Sequence, residues 1–360
     1  MKVLFCNVAY LNYYDGRIAG EEKPNSGGRW VLENGDAHEK WNFLNMDGRC
    51  YGYVQGNSDS MHIERLEGTS RRDEVAEDVL VVWCACHPKK ENGTVVVGWY
   101  EHATVYRDVQ QMPATPISGL ERDYWFETKA ENAYLLPTEF RTFKVGRAAQ
   151  SGRGTGFGKQ NYWFADSEYA KETLIPALME FIESHRGYRM NQLNDAFECP
   201  EPSLPLSEEE LTLYDSMDNE QWLERLPLAY RWFRMSPSAD AAYDVAFCLK
   251  NCFQYEKSLA WYEKVLDYDR TDDNTREELA YLYQQCQQYE KSIACAKELM
   301  RSEQAKSNQD YRDELYCILA DNYYFSGNKK EARKWQMRIL EESKNQDLID
   351  HTKCVMEGWA

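Results

Sequence analysis

What the sequence lacks narrows the field first. No apolar run approaches the roughly 20 residues that a membrane-spanning helix needs. The longest, Val79-Leu80-Val81-Val82-Trp83-Cys84-Ala85-Cys86, stops at His87. The opening stretch Met1–Asn7 has one charge and too short an apolar segment for a leader. An even, regularly spaced cysteine framework is missing: eleven cysteines are scattered along the chain. That is the pattern of reduced thiols in a cytoplasmic protein, not of a disulfide scaffold. Positive charge is also scarce, with 42 Lys+Arg against 60 Asp+Glu and a net charge of −18. Binding of nucleic acid by bulk charge is therefore excluded, and an anionic ligand would need a local patch.

What is present is globular. The 360 residues are 43% hydrophobic, enough for about two domains with proper cores. Aromatics are abundant, with 25 Tyr and 11 Trp. Charge is uneven: residues 1–200 carry −7 and residues 201–360 carry −11, while Arg141, Lys144, Arg147, Arg153 and Lys159 face only Glu139 within 138–160.

Residues 1–165 read as β-rich. Lys2–Val8, Arg49–Gln55, Val79–Cys86, Thr94–Tyr100, Ala103–Asp108, Tyr124–Lys129 and Phe140–Val145 are strand-like, and His87–Gly93 supplies turn chemistry between two near-continuous apolar runs. Short strands spaced by Gly, Pro and Asn predict a small barrel or half-barrel. A helix over Ser167–Gly187 follows, with Ile175, Leu178, Met179 and Ile182 as its apolar stripe. Pro200, Pro202 and Pro205 mark residues 191–206 as a linker.

From Ser207 the pattern is helical and repeats. Tyr255-Glu256-Lys257 recurs 34 residues on as Tyr289-Glu290-Lys291, and a third copy around Ala320–Ala332 is offset by about six inserted residues near Ser302–Gln309. Ala246, Ala280 and Ala320 hold one small position, and Ser258, Ser292 and Ala332 the other, where close helix approach forbids bulk. This period and these positions resemble the tetratricopeptide repeat (TPR). The proline that ends the consensus is absent after Asp269, and Lys329 replaces the turn tyrosine in the third copy. Ser207–Met217 and Asn219–Met235 read as a degenerate capping pair.

In the first half, the hairpin Val79–Trp83 with Val95–Tyr100, followed by Ala103-Thr104-Val105-Tyr106-Arg107, resembles the central hairpin of PUA-like domains, the superfamily of EVE, YTH and ASCH domains. Gly98–Arg107 is similar to a segment of bacterial proteins in which such a domain is fused to nuclease modules or helical repeats, a setting that implies defence or restriction. The EVE opening motif of Trp, Lys and Glu-Pro is missing; Asn7, Tyr10, Tyr13 and Tyr14 stand in its place. The expected architecture is thus α+β: a PUA-like small β-barrel with flanking helices over 1–190, the linker, and an all-α TPR-like solenoid over 207–360.

Trp99, Tyr100, Tyr106, Trp163 and Trp30 are the rings that would line an aromatic pocket, with Asn7 and Asn161 reading a base edge. The resemblance implies a modified or unpaired base there; the same rings would serve equally as barrel core. Arg147-Ala148-Ala149-Gln150-Ser151-Gly152-Arg153-Gly154-Thr155-Gly156-Phe157-Gly158-Lys159 is either a phosphate-clasping loop, with Arg147, Arg153 and Lys159 as contacts, or a plain surface loop. Catalytic and metal motifs are weak. Cys84-Ala85-Cys86-His87 offers three ligands where a structural zinc needs four, and Glu127-Thr128-Lys129 is half of a metal-nuclease pattern with no partner Asp. No Gly-x-Ser-x-Gly or His-Glu-x-x-His occurs. The sequence therefore points to a non-enzymatic sensor or adaptor without cofactor or metal, reading nucleic acid with one half and a protein or peptide with the other. A pure protein-interaction scaffold is the alternative, and an enzyme without a recognisable motif is the third.

Overall fold

The computed structural model describes residues 1–16, 38–56, 60–89, 93–112, 115, 120–191, 205–217 and 221–358. Contacts divide the chain into two compact units, Met1–Thr115 with Leu120–Glu198, and Pro116–Gly119 with Cys199–Ala360. The expected linker 191–206 and the ring of Trp30 fall largely or wholly outside the described residues.

The first unit is built on eight strands: β1 (Lys2–Val8), β2 (Arg49–Gly52), β3 (Val75–Cys86), β4 (Thr94–Met112), β5 (Arg122–Lys129), β6 (Ala133–Leu135), β7 (Lys144–Val145) and β8 (Tyr162–Trp163). Their order is β2-β5-β4-β3-β1-β8, and β6 and β7 also pair with β4. β1 runs parallel to β3; the remaining pairs are antiparallel. Among the described residues the strands make one mixed sheet, in which β2 and β8 end the path without pairing to each other. The strands expected at Thr94–Tyr100 and Ala103–Asp108 are one long strand. Phe140–Val145 shrinks to two residues, because Pro137 leads into a 3-10 turn at Thr138–Phe140.

The near-continuous apolar runs are explained by burial on both faces. Val79, Val81 and Trp83 face one core with Leu4, Cys6 and Val97. Leu80, Val82 and Cys84 face the other with Val3, Phe5 and Val96. That second core is closed by helix α1 (Ile175–His185) through Leu178 and Ile182. The helix starts through a π turn at Ala170–Leu174. Pro176 has no N–H and crowds the Glu172 carbonyl, and the wider turn takes up that misfit.

The second unit is helical: α2 (Glu208–Ser216), α3 (Trp222–Met235), α4 (Ala239–Asn251), α5 (Tyr255–Tyr268), α6 (Asp273–Gln285), α7 (Tyr289–Leu299), α8 (Glu303–Ser307), α9 (Gln309–Phe325), α10 (Lys329–Glu342) and α11 (Gln346–Gly358). Polar caps start many of them: Ser207 in a capping box with Glu210, then Ser238, Asp272, Asn308 and Asn328. The repeat is physical as well as textual. Ser258 Oγ donates to the Ala246 carbonyl at 2.8 Å, and Ser292 Oγ to the Ala280 carbonyl at 2.6 Å, each from a fully buried serine. The six-residue insertion forms the short helix α8. No helix among the described residues is long and apolar enough to cross a membrane.

Candidate ligand-binding site

The expected aromatic pocket is not assembled, and the sheet shows why. Trp99 and Tyr100 are both fully buried and are neighbours on β4, so their side chains enter opposite cores. Trp99 stacks on Tyr134 at 5.2 Å, and its Nε1 donates to Glu101 at 3.3 Å. Tyr100 meets Trp83 at 5.2 Å and Phe43 at 5.4 Å. Trp163, 8% exposed, packs on Phe5 at 5.4 Å. Tyr106 is half-buried elsewhere, its hydroxyl donating to Glu127 at 3.0 Å beside Tyr124. These four rings are packing, and Glu127, which also pairs with Arg49, is held as a structural acceptor.

A Cβ at Gly156 would stand 1.8 Å from the Gly146 carbonyl oxygen, so this glycine lets two backbones meet. Arg153 and Lys159 are exposed. Arg147, by contrast, turns inward.

Three of the expected residues do meet, at the C-terminal end of β1. The Asn7 N–H donates to the Asn161 carbonyl at 2.6 Å, continuing the β1–β8 pairing by one step. Arg147 Nη2 donates to Asn7 Oδ1 at 3.3 Å, and Asn161 Nδ2 to the Gln55 carbonyl at 3.1 Å. Asn7, Asn161 and Arg147 are each half-buried. Gln55 links this group to a residue the sequence reading missed, the buried Glu39 on the 3-10 turn His38–Trp41. Its carboxylate accepts the Ala9 N–H at 2.8 Å and the Gln55 N–H at 3.5 Å. Burial pushes the carboxyl up to about 7, against the pull of those two N–H groups.

Two buried arginines fix the backbone around this seam. Arg122 donates to the carbonyls of Trp41 at 3.2 Å and Tyr51 at 2.7 Å, joining the 3-10 turn to β2. Asn42 adds a reciprocal pair to Tyr53, both bonds 2.9 Å. Arg141 gathers the carbonyls of Leu136, Leu11 and Asn12 and lies 5.2 Å over the Tyr10 ring. Aromatic pairs flank the seam, Tyr10 with His87 at 5.4 Å and His38 with Tyr53 at 5.3 Å. The arrangement offers amide edges, one carboxyl and imidazole and phenol faces. Among the described residues no group of three or more His, Cys, Asp or Glu side chains is placed to hold a metal ion.

In the second unit, the inner helices of the repeats carry an acidic and aromatic face. Glu277 and Tyr281 on α6 lie near Glu314 and Cys317 on α9. Burial, with Glu314 and Glu278 nearby, raises Glu277, and burial lifts Asp321 to about 6. Burial, Asp321 and other acids push the Cys317 thiol to about 12.

Comparison with known proteins bears on this unit. A family model described as a tetratricopeptide repeat matches residues 313–346, the third copy, where the turn tyrosine is missing. No curated protein matches the chain. Among solved structures, the crystal structure of MamA protein is similar at 15% identity, over 47% of this chain and 80% of that one, with a TM-score of 0.32. YrrB, titled a TPR protein with an unusual peptide-binding site, is similar at 12% identity, over 51% of this chain and 98% of that one, with a TM-score of 0.34.

Proposed function

We propose that this protein is a non-enzymatic adaptor whose helical array docks a partner protein or peptide. The observation that carries this reading is the recurrent helix pair, two copies of which are locked by the same buried serine-to-carbonyl bond. Such an array presents one continuous inner surface. The acidic and aromatic character of that surface favours a lysine- or arginine-bearing segment, since a cation would relieve the raised carboxyls and sit against Tyr281. Glu314 and Asp321 each keep side-chain surface open to solvent, although neighbours crowd close around Asp321, so a reversed charge has room to turn outward. Fluorescence anisotropy with an array of lysine-rich and arginine-rich peptides tests the idea. The double variant Glu314→Lys, Asp321→Lys loses binding at least tenfold; equal binding by both proteins rejects the basic partner.

A second activity, reading a modified or unpaired nucleotide, is favoured by the meeting of Asn7, Asn161 and Arg147. The amide edges of Asn7 and Asn161 suit the hydrogen-bonding edge of a base, and flanking rings suit its faces. Arg153 and Lys159, exposed nearby in sequence, would then meet phosphate. Titration with oligonucleotides carrying modified bases decides it. Binding lost in Asn7→Ala and Asn161→Ala supports the seam; binding unchanged in both discards it.

A further inference from the structure

The pairing of β1 with β8 stops one step early. Asn7 with Asn161 and Phe5 with Trp163 are alternate pairs of one antiparallel register, so the next would join Val3 to Ala165. That pair is not made. Ala165 takes a left-handed backbone, φ +50°, which turns the chain away from β1. Val3 is only 3% exposed, and the side of its backbone that β8 would occupy has no ladder partner among the described residues. Buried backbone groups of this kind are almost always paired in folded proteins.

The space left between the diverging chains is a cleft of about 550 Å³ lined by Val3, Ala165, Phe164, Ile175, Lys2 and Lys171. The π turn ahead of α1 brings Lys171 to this cleft. Its cations are unequally committed. Arg65 is held by Asp166 through bonds of 2.7–2.9 Å and lies 4.8 Å over the Phe164 ring. Lys2 Nζ donates to the Glu77 carbonyl at 2.8 Å. Glu67 is held by the N-terminal amine at 3.1 Å, whose bond and charge lower its carboxyl with a lesser pull from Lys171. Lys171 itself makes no ion pair among the described residues.

We propose that this cleft takes an extended peptide, added to β1 as a short strand beyond β8, with a carboxylate of the peptide beside Lys171. A strand edge that offers one N–H and one C=O side by side is matched by another peptide backbone, and not by a simple ion. The volume lies in the range of sites that hold a few residues. The uncommitted cation selects an acidic peptide in a chain that elsewhere repels one.

The probe is an acetylated, amidated tetrapeptide of alternating valine and threonine ending in aspartate, titrated against the full chain by isothermal calorimetry. Saturable binding is expected. N-methylation of one backbone amide, the one opposite Val3, weakens it at least tenfold, and Lys171→Glu, an exposed position, weakens it by a similar factor. Three results overturn the proposal: no saturable binding, full affinity for every singly N-methylated peptide, or equal affinity for N-acetyl-aspartate amide alone.

Discussion

Glu39 accepts the backbone N–H of Ala9 at 2.8 Å from a position that is 8% exposed, with no cation among the described residues paired to it. A carboxyl so placed keeps its proton longer than in water, since burial penalises the charged form more than two N–H donors favour it. The turn that carries it is tied to β2 by Arg122 and Asn42, so the carboxyl cannot move out to solvent without breaking those bonds.

This fixes the sign of a pH dependence. The unfolded carboxyl titrates near 4.5 and the folded one near 7. Between those values the unfolded chain releases a proton that the folded chain retains. Stability therefore falls as pH rises from about 4.5 to 7 and, for this group, is level above that. The interval corresponds to roughly 3 kcal/mol. Glu39→Gln removes the contribution while still accepting from Ala9. Subtracting urea-unfolding curves of the variant from those of the native protein across pH 4–8 isolates it; a flat difference contradicts the burial argument.

Arg122 is 1% exposed, and burial lowers its guanidinium to about 10. It serves carbonyl groups instead of a carboxylate. Arg122→Met leaves the carbonyls of Trp41 and Tyr51 without these donors, at an expected cost of about 2–4 kcal/mol. Arg122→Lys recovers little, because one ammonium does not reproduce the forked geometry that reaches both. Amide exchange at Tyr53 and Gln55 should quicken in both variants, which distinguishes a loosened turn from a general loss of packing.

These residues also show where the sequence was legible. Lys2–Val8 coincides with β1, and the 34-residue period maps onto helix pairs, because a β-branched run and a repeated tripeptide are local signals. The face taken by Trp99 is not local. Trp83 pairs with Gly98 but Cys84 with Val96, and this extra residue in β4 inverts the alternation, so Val97 and Trp99 enter different cores. Gly98 is the one local hint, since an isolated glycine within a strand often marks a bulge, but it does not say which face the following ring takes. Glu39 carries no local signal: its carboxyl meets the end of β1 and Gln55, both distant in sequence. Asn7, Asn161 and Arg147, which the sequence offers for separate contacts to base and phosphate, lie together in the fold, away from the rings expected to join them.

The serine at the helix crossing separates two reasons for a small residue. Ser292→Ala removes the bond to the Ala280 carbonyl and keeps the close approach, costing about 1 kcal/mol. Ser292→Leu forces the helices apart and costs a further 1–3 kcal/mol. Ala332 holds the equivalent place in the third copy, also fully buried, with no hydroxyl, so closeness and not the bond is the shared requirement. Denaturant unfolding of the three proteins checks the order; Ser292→Leu as stable as Ser292→Ala would remove closeness as the reason.

The turn inside each repeat gives the sharpest contrast. Phe253, Gln287 and Gly327 occupy the same position, with φ of +60°, +58° and +84°. The next N–H in each copy, from Gln254, Gln288 and Asn328, returns to the carbonyls of Leu249, Tyr283 and Tyr323 at 2.7–2.9 Å. Only the third copy uses the residue for which a left-handed backbone costs nothing. Phe253 is 8% exposed and repays its strain in packing, but the Gln287 side chain is exposed and has no such return. Gln287→Gly should therefore stabilise the helical unit by up to about 1 kcal/mol, the left-handed penalty less the greater freedom glycine has when unfolded. Gly327→Ala should destabilise it by about 1 kcal/mol, although open space surrounds the added methyl, because the strain lies in the backbone alone. Thermal unfolding of the two variants would show midpoints moving in opposite directions; a shared direction would mean that the turns of the second and third copies are not conformationally equivalent.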